Sequence, residues 1–470
     1  MFRTTPDNQS TMPSGIPYIV GNEAAERFSF YGMKSILMVF LSMHIFAEME
    51  FENTGELMNG EQANNLATQW IHTFGMWVYL LPVAGAILSD WLFGKYRTIL
   101  WLSIVYCLGH FVLALGEYAD QTYWGMIVGL GLIAVGAGGI KPCVTSHVGD
   151  QFGPGNKHLL SKVFSWFYFS INLGAFTSTL LTPYIFESTH EEYGGAVAFG
   201  IPGVLMAIAT FMFWVGRKHF VHIPPRGKEF WTGTFNPAGL KSLGNLLPVF
   251  LLISIFWSCF DQTASRWVAQ AQQMDPVITG SFLSWNFHLT ILPSQMQAVN
   301  PILVLLFIPL FTYIIYPTIN RWFQLTPLRK MCCGFFLTGL AFSASAYIEH
   351  TLTLGQNTHI LWQIVPYIIL TAAEIMISIT ALEFAYTQAP KSAKALVMSL
   401  NLGAVSLGNA VTLIVNQRII LADGTSKLPG ADYYLFFAAL VVGAGVLFVG
   451  VAIVYRGTTY IEGEGSEQLA

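Results

Sequence analysis

Apolar segments long enough to cross a lipid bilayer recur along most of this chain. A helix crosses the hydrocarbon core with about 20 apolar residues, and the sequence contains about twelve such segments. Hydrophobic residues make up 54% of the 470 residues and charged residues only 10%. Soluble domains carry about 25% charged residues, so lipid must replace water around much of this surface. The sequence therefore predicts an all-α polytopic membrane protein.

The distribution of Lys and Arg between the spans predicts their orientation. Basic residues gather in the connections on one side, whereas Lys427 stands almost alone on the other. Cytoplasmic loops carry the excess of basic residues. We therefore expect both termini in the cytoplasm, as an even number of spans requires. The predicted spans cover residues 16–46, 63–92, 97–115, 122–148, 159–185, 194–217, 243–272, 297–320, 328–350, 358–388, 391–420 and 431–456.

The longest of the predicted cytoplasmic connections divides the chain into two halves. Residues 223–242 contain Pro224, Pro225 and Gly227, and helix breakers at this density indicate a linker. Residues 1–222 and 243–470 are then an amino-terminal and a carboxy-terminal bundle of six helices each. Many secondary transporters consist of two such halves around a central site.

Several classes of function leave no pattern in this sequence. Residues 136–139 are rich in glycine but lack the Lys-Ser/Thr ending of a phosphate-binding loop, which favours close helix packing instead. The five cysteines show neither a CxxC pair nor Cys/His metal spacing. There is no Ser/His/Asp pattern, and the net charge of −4 comes without a basic tract. We expect no enzyme, no cofactor or metal, and no nucleic-acid partner.

The first predicted span carries a stripe of polar residues on one helical face. Residues three, four and seven apart share a face of a helix. Each charge costs about 2.5 kcal/mol or more against lipid, so the stripe must face a watery cavity in which its members neutralise one another. Its members are Glu23, Glu26, Arg27, Tyr31 and Lys34.

Other ionisable residues inside the spans are few, and they are therefore candidate functional residues. Lys141, Asp261 and Glu374 lie within spans, where charged side chains mark substrate or ion pathways. Arg266 and His72 leave alternatives open. Arg266, like Glu383, lies nearer a helix end, which is compatible with snorkelling to the membrane interface or with a structural pair as well as with a functional role. His72 is either a neutral imidazole satisfied by a neighbour or a proton relay.

Two asparagines and two aromatic residues complete the candidates. The amides of Asn172 and Asn300 are suited either to bonding a neighbouring helix or to gripping a peptide bond, since an amide both donates and accepts. Trp257 precedes Asp261 by four residues and shares its face, as a pocket wall or as packing. Tyr79 lies seven residues after His72, on the same face.

With these residues the chain resembles the proton-dependent oligopeptide transporters, a branch of the major facilitator superfamily. Glu23, Glu26 and Arg27 match the ExxER motif of that family. The resemblance covers nearly the whole chain. Further family or superfamily signatures match residues 85–95, 138–152 and 167–174, and animal intestinal peptide transporters are most similar at 256–262 and 382–390.

The resemblance implies a substrate site for a zwitterionic peptide. Arg27, Lys34 and Lys141 would receive the peptide carboxylate, and Glu374 with Ser378 one turn away would hold the amino group. The amides of Asn172 and Asn300 would bond to the backbone of the peptide. The pockets for its side chains would be shaped by the aromatic residues Tyr31, Tyr79 and Trp257.

Proton coupling is expected at two places. Nearby cations favour the ionised form of Glu23 or Glu26, whereas burial favours the protonated form. Protonation would release Arg27 or Lys141 for the substrate. His72 and Asp261 are candidates for a second proton position that gates the outward side.

Four departures from the family pattern bear on substrate preference. Phe30 stands where the family usually has Tyr, and Lys34 replaces an Arg, so that a forked grip becomes a point charge. Asn401 stands where the family often has Trp. Only residues 351–357 occupy the place of the large extracellular domain of animal members, while His72 matches a histidine typical of those members.

The predicted function is proton-coupled import of dipeptides and tripeptides by alternating access, with the major facilitator fold. Alternatives are a carrier of the same fold for nitrate, an amino acid or a drug, or a peptide receptor that does not transport. We expect a monomer in the lipid bilayer, with dipeptides, tripeptides and protons as its partners. Short loops favour a bacterial inner membrane.

Overall fold

The computed structural model describes residues 2–6, 8–51, 55–189, 193–282, 285–388, 394–455, 458–459 and 467–468. Most of these residues form helices, as the apolar segments predict. The first half contains α1 (Ile16–Val39), α2 (Gly60–Leu88), α3 (Lys95–Tyr118), α4 (Thr122–Gly149), α5 (Leu160–Ser188) and α6 (Gly194–Val215).

The second half contains ten helices and the strands of two hairpins within the described residues. The helices are α7 (Lys228–Thr234), α8 (Pro237–Phe260), α9 (Arg266–Ala271), α10 (Val299–Leu310), α11 (Tyr316–Asn320), α12 (Pro327–Thr353), α13 (Ile364–Glu374), α14 (Thr380–Thr387), α15 (Lys394–Ile419) and α16 (Ala431–Val454). The antiparallel pairs are β1 (Val277–Phe282) with β2 (Trp285–Thr290) and β3 (Thr458–Thr459) with β4 (Glu467–Gln468).

Eleven helical segments in the described residues are long and apolar enough to cross a membrane. They correspond to eleven of the twelve predicted spans. The remaining predicted span, residues 159–185, is the fifth along the chain and coincides with α5, whose 29 residues extend about 43 Å. This helix is not among the eleven, because hydroxyl and amide residues interrupt its apolar sequence. Several of these residues, such as Ser165 and Asn172, face an internal cavity rather than lipid.

The buried apolar side chains form two large clusters, one in each half of the chain. The first contains residues from Ile16 to Phe220 together with Val268 and Ala269, and the second runs from Leu246 to Phe448.

The segment predicted as a linker, residues 223–242, is partly helical, which the density of Pro and Gly did not suggest. Helix α7 lies inside it, and Asn236 caps α8 by accepting a hydrogen bond from Gly239 N at 2.8 Å. The division of the chain at 222 and 243 stays a prediction.

Four of the membrane helices are interrupted or ended by a π-turn. These turns comprise Phe40–Ile45 after α1, Ser89–Phe93 after α2, Phe311–Ile315 between α10 and α11, and Ile375–Ile379 between α13 and α14. A π-turn takes in one more residue than an α-turn and is frequent at functional sites. The last turn directly follows Glu374. Phe311, Ile375 and Met376 pack together in a third, small cluster.

Glycines allow α3 and α4 to pack in close contact. A Cβ atom on Gly136 would lie 2.7 Å from both Cα and the backbone N of Tyr106. One on Gly125 would lie 2.7 Å from Cα of Gly116. Small residues of this kind allow the backbones of membrane helices to approach. The prediction of close packing at residues 136–139 is confirmed.

The glycine contact predicts a stability difference between two substitutions on α4. Gly136→Ala should cost about 1–3 kcal/mol, because the added methyl group meets backbone atoms that must move. Gly131→Ala is the matched control on the same helix, since no atom lies within 4 Å of its added Cβ. Thermal unfolding of the detergent-purified protein measures both. Equal melting temperatures for the two variants would contradict this interpretation.

A charged cavity between the two bundles

A cavity of about 1090 Å³ lies between the two halves of the chain. Its volume is slightly above the usual range of small-molecule sites, which is about 300–1,000 Å³. Both bundles contribute walls, from α1, α2 and α5 on one side and from α8, α10 and α13–α14 on the other. Most predicted site residues line it, namely Tyr31, Lys34, Tyr79, Asn172, Trp257, Asp261, Asn300, Glu374 and Ser378.

Five predicted residues are buried beside the cavity but are not among the described residues that line it. These are Glu23, Glu26, Arg27, His72 and Lys141. The most exposed of their side chains, that of Arg27, is only 12% exposed, so none of them faces lipid. The polar stripe of α1 therefore divides into two parts. Tyr31 and Lys34 reach the cavity, whereas the ExxER residues lie within the amino-terminal bundle.

Arg27 holds both carboxylates of its motif. Its Nε donates to Glu23 Oε1 at 2.7 Å and lies 3.1 Å from Glu26 Oε2. Glu26 is fully buried and accepts no hydrogen bond from a described residue. A buried carboxylate without hydrogen bonds is costly, and the ion pair with Arg27 replaces only part of the hydration of Glu26. Glu26 is thus the less satisfied of the two acids.

Lys141 has aromatic neighbours in place of a carboxylate partner. Its Nζ lies 3.8 Å from the ring centroid of Phe30 and 4.3 Å from that of Tyr79. No described residue accepts a hydrogen bond from it. Cation–π contacts stabilise a desolvated ammonium by about 2 kcal/mol or more. Lys141 is therefore held in place by aromatic rings, and no described carboxylate accepts a hydrogen bond from it.

Glu374 supplies a negative charge to the wall formed by the carboxy-terminal bundle. Asn300 Nδ2 donates to Glu374 Oε2 at 2.7 Å and to Thr371 Oγ1 at 3.1 Å. Helix α10 carries Asn300 and α13 carries both partners, so the amide joins two helices. The sequence left open whether Asn300 bonds a neighbouring helix, and in this structure it does. Asn172, in contrast, bonds within its own helix, since its Nδ2 donates to the backbone oxygen of Tyr168 at 2.9 Å.

An ion pair closes the cavity at the end farthest from Leu160 and Leu382. Lys34 Nζ donates to Asp261 Oδ1 at 2.8 Å, which joins α1 to the turn after α8. Asn409 Nδ2 on α15 donates to the other oxygen of Asp261 at 2.6 Å. The ion pair thus connects the two bundles, and the amide of Asn409 adds a hydrogen bond to it from a third helix.

His72 extends this connection. Its Nδ1 lies 2.8 Å from Asn409 Oδ1 and its Nε2 lies 3.0 Å from Ser265 Oγ. A neutral imidazole with its proton on Nδ1 fits both contacts, because the Asn409 carbonyl oxygen accepts and the Ser265 hydroxyl donates. His72 is two contacts from Asp261, so the two residues predicted as a second proton position belong to one network.

A second set of contacts joins the bundles nearer the membrane surface. Arg266 Nη2 donates to Asn65 Oδ1 at 2.6 Å and to Asn416 Oδ1 at 3.1 Å. The guanidinium carbon of Arg266 lies 4.4 Å from the ring centroid of Tyr433. Asn65 Nδ2 in turn donates to Gly424 O at 3.0 Å, in the loop between α15 and α16. Arg266 therefore belongs to a structural pair, one of the alternatives that the sequence allowed.

These contacts define a closed side and an open side. We call the side that carries the basic connections, such as those after α2, α4 and α6, the basic side. The described hydrogen bonds that cross between the bundles gather at the opposite side, around Lys34, His72 and Asn65. The cavity runs from Lys34 toward Leu160, at the basic end of α5, and Leu382, which precedes the basic end of α14. The structure is thus open toward the basic side.

Sequence reasoning missed three residues of the closed side. Asn409, Asn416 and Ser265 carry key contacts, yet they are uncharged and so did not stand out in apolar segments. A signal was present on α15, where the buried residues Asn409, Thr412 and Asn416 follow one another at spacings of three and four and share one face. A polar stripe of this kind indicates a helix–helix interface.

The sequence was then compared with known families. A sequence profile described as "PTR2: POT family" matches residues 96–237 and 231–420. These matches extend over more than half of the chain. The chain belongs to the POT family. Its assignment as an all-α multi-pass membrane protein is thereby confirmed.

Animal proteins are among the similar POT relatives. "Peptide transporter family 1" of Drosophila melanogaster is 37% identical over 376 residues, covering 72% of this chain and 48% of the relative. "Solute carrier family 15 member 2" of Homo sapiens is 35% identical over 385 residues, covering 72% of this chain and 49% of the relative. The chain therefore spans about half the length of the curated relatives it matches. Their names describe transporters and solute carriers rather than enzymes.

Solved POT structures resemble the chain over nearly its whole length. One titled "auto inhibited POT family peptide transporter" has a TM-score of 0.82 at 34% identity, covering 96% of this chain and 99% of that one. "The POT family transporter PepTSo" has a TM-score of 0.80 at 34% identity, covering 95% and 99%. The two-bundle fold of the major facilitator superfamily is therefore shared.

The ion pair between the bundles predicts a strong coupling between two substitutions. Asp261→Asn should lower the melting temperature, because it leaves the ammonium of Lys34 buried without a carboxylate. Removing one partner of a buried pair costs about 3–5 kcal/mol. Lys34→Gln combined with Asp261→Asn should recover most of that loss, since no unpaired charge remains. Thermal unfolding of the single and double variants measures the coupling.

Lys95 and Asp150 provide the matched control. Their side chains are 2.7 Å apart and are 21% and 16% exposed, against 13% and 6% for Lys34 and Asp261. Burial raises the pKa of the Asp150 carboxyl, while Lys95 opposes that effect. The coupling measured for this pair should be the smaller of the two. A larger coupling for Lys95 and Asp150 would show that Lys34 and Asp261 are not the main connection.

Proposed function

We propose that this protein is a proton-coupled symporter that imports dipeptides and tripeptides by alternating access. The observation that carries the proposal is the cavity between the bundles, with Lys34 on one wall and Glu374 on the other. Opposite charges from opposite bundles suit a zwitterion better than a simple anion or cation. Membership of the POT family and the names of the relatives support the same substrate class.

In this proposal, the two ends of the peptide are recognised by different bundles. The peptide carboxylate binds on the side of Lys34, with Lys141 and Arg27 behind it. The amino group binds at Glu374, replacing the amide of Asn300 that now donates there, and Ser378 lies one turn farther along. Recognition of both termini fixes the length of the peptide without selecting its sequence.

Side-chain tolerance follows from the rest of the cavity wall. Tyr31, Tyr79 and Trp257 provide aromatic surfaces, and the wall toward the basic side is largely apolar. Asn172 and Asn300 remain candidates for hydrogen bonds to the peptide backbone, because amides both donate and accept. Such a wall accommodates many side chains while the charged groups set the orientation.

We place the coupled proton at the ExxER residues. Glu26 lacks a hydrogen bond from a described residue, and Glu23 holds Arg27 at 2.7 Å. Protonation of either acid weakens its hold on Arg27, which is then available to a substrate carboxylate. Glu23 and Glu26 are thus the first proton position of the proposal. His72 and Asp261 form the second, because protonation of Asp261 removes the charge that binds Lys34 and joins the bundles.

Several finer predictions accompany this proposal. Both termini are placed in the cytoplasm, the protein is a monomer, and the proton gradient takes the place of any cofactor. The bacterial inner membrane also stays a prediction, and the curated relatives named above come from animals. With the basic side in the cytoplasm, the present conformation is the one that releases peptide inward.

Uptake into proteoliposomes tests the proposal together with the role of Lys141. Radiolabelled dialanine should accumulate under an inward pH gradient and should not do so with an uncoupler. Lys141→Ala should abolish accumulation, because the only cation in the ExxER region without a described carboxylate partner is lost. Lys162→Ala is the matched control, since this exposed lysine lies 5.1 Å from the Trp166 ring, away from the cavity lining. Saturable binding without accumulation would instead favour a receptor.

The assignment of Glu374 is tested by comparing two kinds of peptide. Glu374→Gln should weaken the uptake of dialanine far more than that of its amino-acetylated form, because the charge that pairs with the amino group is removed. A charge-assisted bond contributes about 1.5–3 kcal/mol, which corresponds to roughly a tenfold to hundredfold difference. Glu383→Gln, an exposed acid on α14, is the control. Equal losses for the two peptides would remove Glu374 from the amino-group site.

A further inference from the structure

A second concave surface lies on the outside of the amino-terminal bundle. It is a groove of about 690 Å³ between α3 and α6. Trp101, Leu108 and Phe111 form one wall, and Val204 and Phe211 belong to the other. Its lining is apolar except for Thr210, whose hydroxyl is already bonded to Met206 O at 2.8 Å.

Small residues make this surface concave. Gly200, Gly203 and Ala207 lie on the α6 side of the groove and Ala114 on the α3 side. A Cβ atom on Gly200 would meet only Ala114, at 3.7 Å, so the space above it is open. The large rings stand on either side and are exposed, Trp101 by 64% and Phe211 by 59%. The result is an elongated channel in a surface that faces lipid.

The groove has the length of a lipid tail. Its lining runs along α3 from Leu100 to Ala114, which is about 21 Å at 1.5 Å per residue. One leaflet of the hydrocarbon core is about 15 Å thick. An acyl chain entering from one membrane surface therefore fits within the groove.

Basic residues stand at only one end of the groove. Arg217 lies next to Trp214, with its guanidinium carbon 3.8 Å from the ring centroid. Lys218 continues the same face of the α6 segment, and Arg97 precedes Trp101 by one turn on α3. No described carboxylate forms an ion pair with these three residues. At the other end, Glu117 follows Ala114 by three residues, so the charge pattern favours an anion at the Trp214 end alone.

We propose that this groove is a binding site for one anionic phospholipid. One acyl chain lies between α3 and α6, and the headgroup phosphate contacts Arg217, Lys218 and Arg97. The apolar lining binds the tail, and the three cations, which form no ion pair with a described carboxylate, select the charge of the headgroup. The site belongs to the leaflet on the basic side, and it is separate from the cavity between the bundles.

Native mass spectrometry of the delipidated full-length protein tests this proposal. Phosphatidylglycerol and phosphatidylcholine with identical tails are titrated separately, and inorganic phosphate is the headgroup-only probe. We expect one phosphatidylglycerol to bind in preference to phosphatidylcholine. Millimolar phosphate should not displace it, because the tail contributes to binding. Full displacement by phosphate would overturn the proposed lipid and leave only an anion site.

Two variants separate the headgroup contacts from the groove. Arg217→Gln combined with Lys218→Gln should weaken phosphatidylglycerol about 25-fold, at about fivefold for each basic residue near an anionic headgroup. The control is Arg321→Gln, an exposed arginine on the basic side of the other bundle. Ala207→Leu fills the groove and should weaken both lipids. Its control is Ala439→Leu, an exposed alanine on α16 outside the groove. Affinities equal to those of the controls would overturn the proposal.

Discussion

Charges at membrane depth must be neutralised within the protein, and the Lys34–Asp261 pair shows what this demands of the fold. Neither residue has a partner of opposite charge on its own helix at this level, so the pair exists only when the two bundles meet. Pairing these two charges therefore requires the two bundles to lie in one particular relative position. Asn409 and His72 add hydrogen bonds to the same junction and make it specific to one arrangement of the bundles.

The same constraint explains why one side is closed and the other is open. Arg266, Asn65 and the loop at Gly424 reinforce the junction on the closed side. Toward the basic side, the cavity wall consists of apolar side chains such as Leu160 and Leu382, which form no hydrogen bonds across the gap. The proposed alternating-access function needs this asymmetry, because contacts of equal strength on both sides would trap the substrate.

The sequence predicts the fold well because lipid restricts the choice of structure. Without water, a spanning segment must satisfy its backbone internally, so an apolar run of about 20 residues is a helix. Helix α5 is instructive, since its length identifies it as a span although its cavity-lining polar residues dilute the apolar signal. The helix α7 was missed, because Pro and Gly around it indicated only a break in structure.

The sequence indicated candidate residues but not their pairing. A charge stands out within an apolar span, which is why Glu23, Lys141 and Glu374 were candidates, and of these three Glu374 lines the cavity. Which charges meet depends on how helices face one another, and His72 contacts Asn409 at a distance of 337 residues along the chain. Periodicity assigns Asn409 to a face of α15 but does not tell which helix lies opposite. For the same reason, the sequence does not tell which residues of the α1 stripe reach the cavity and which lie inside the bundle.

The π-turn at Ile375–Ile379 separates two helical phases within one membrane segment. One additional residue in a turn rotates everything beyond it by about 100° relative to an uninterrupted helix. The helical phase that directs Glu374 therefore differs from the one that directs the residues of α14 toward α15. Loss of a single residue inside the turn would rotate α14 relative to α13. Sequence alignments of this segment should be anchored separately above and below the turn.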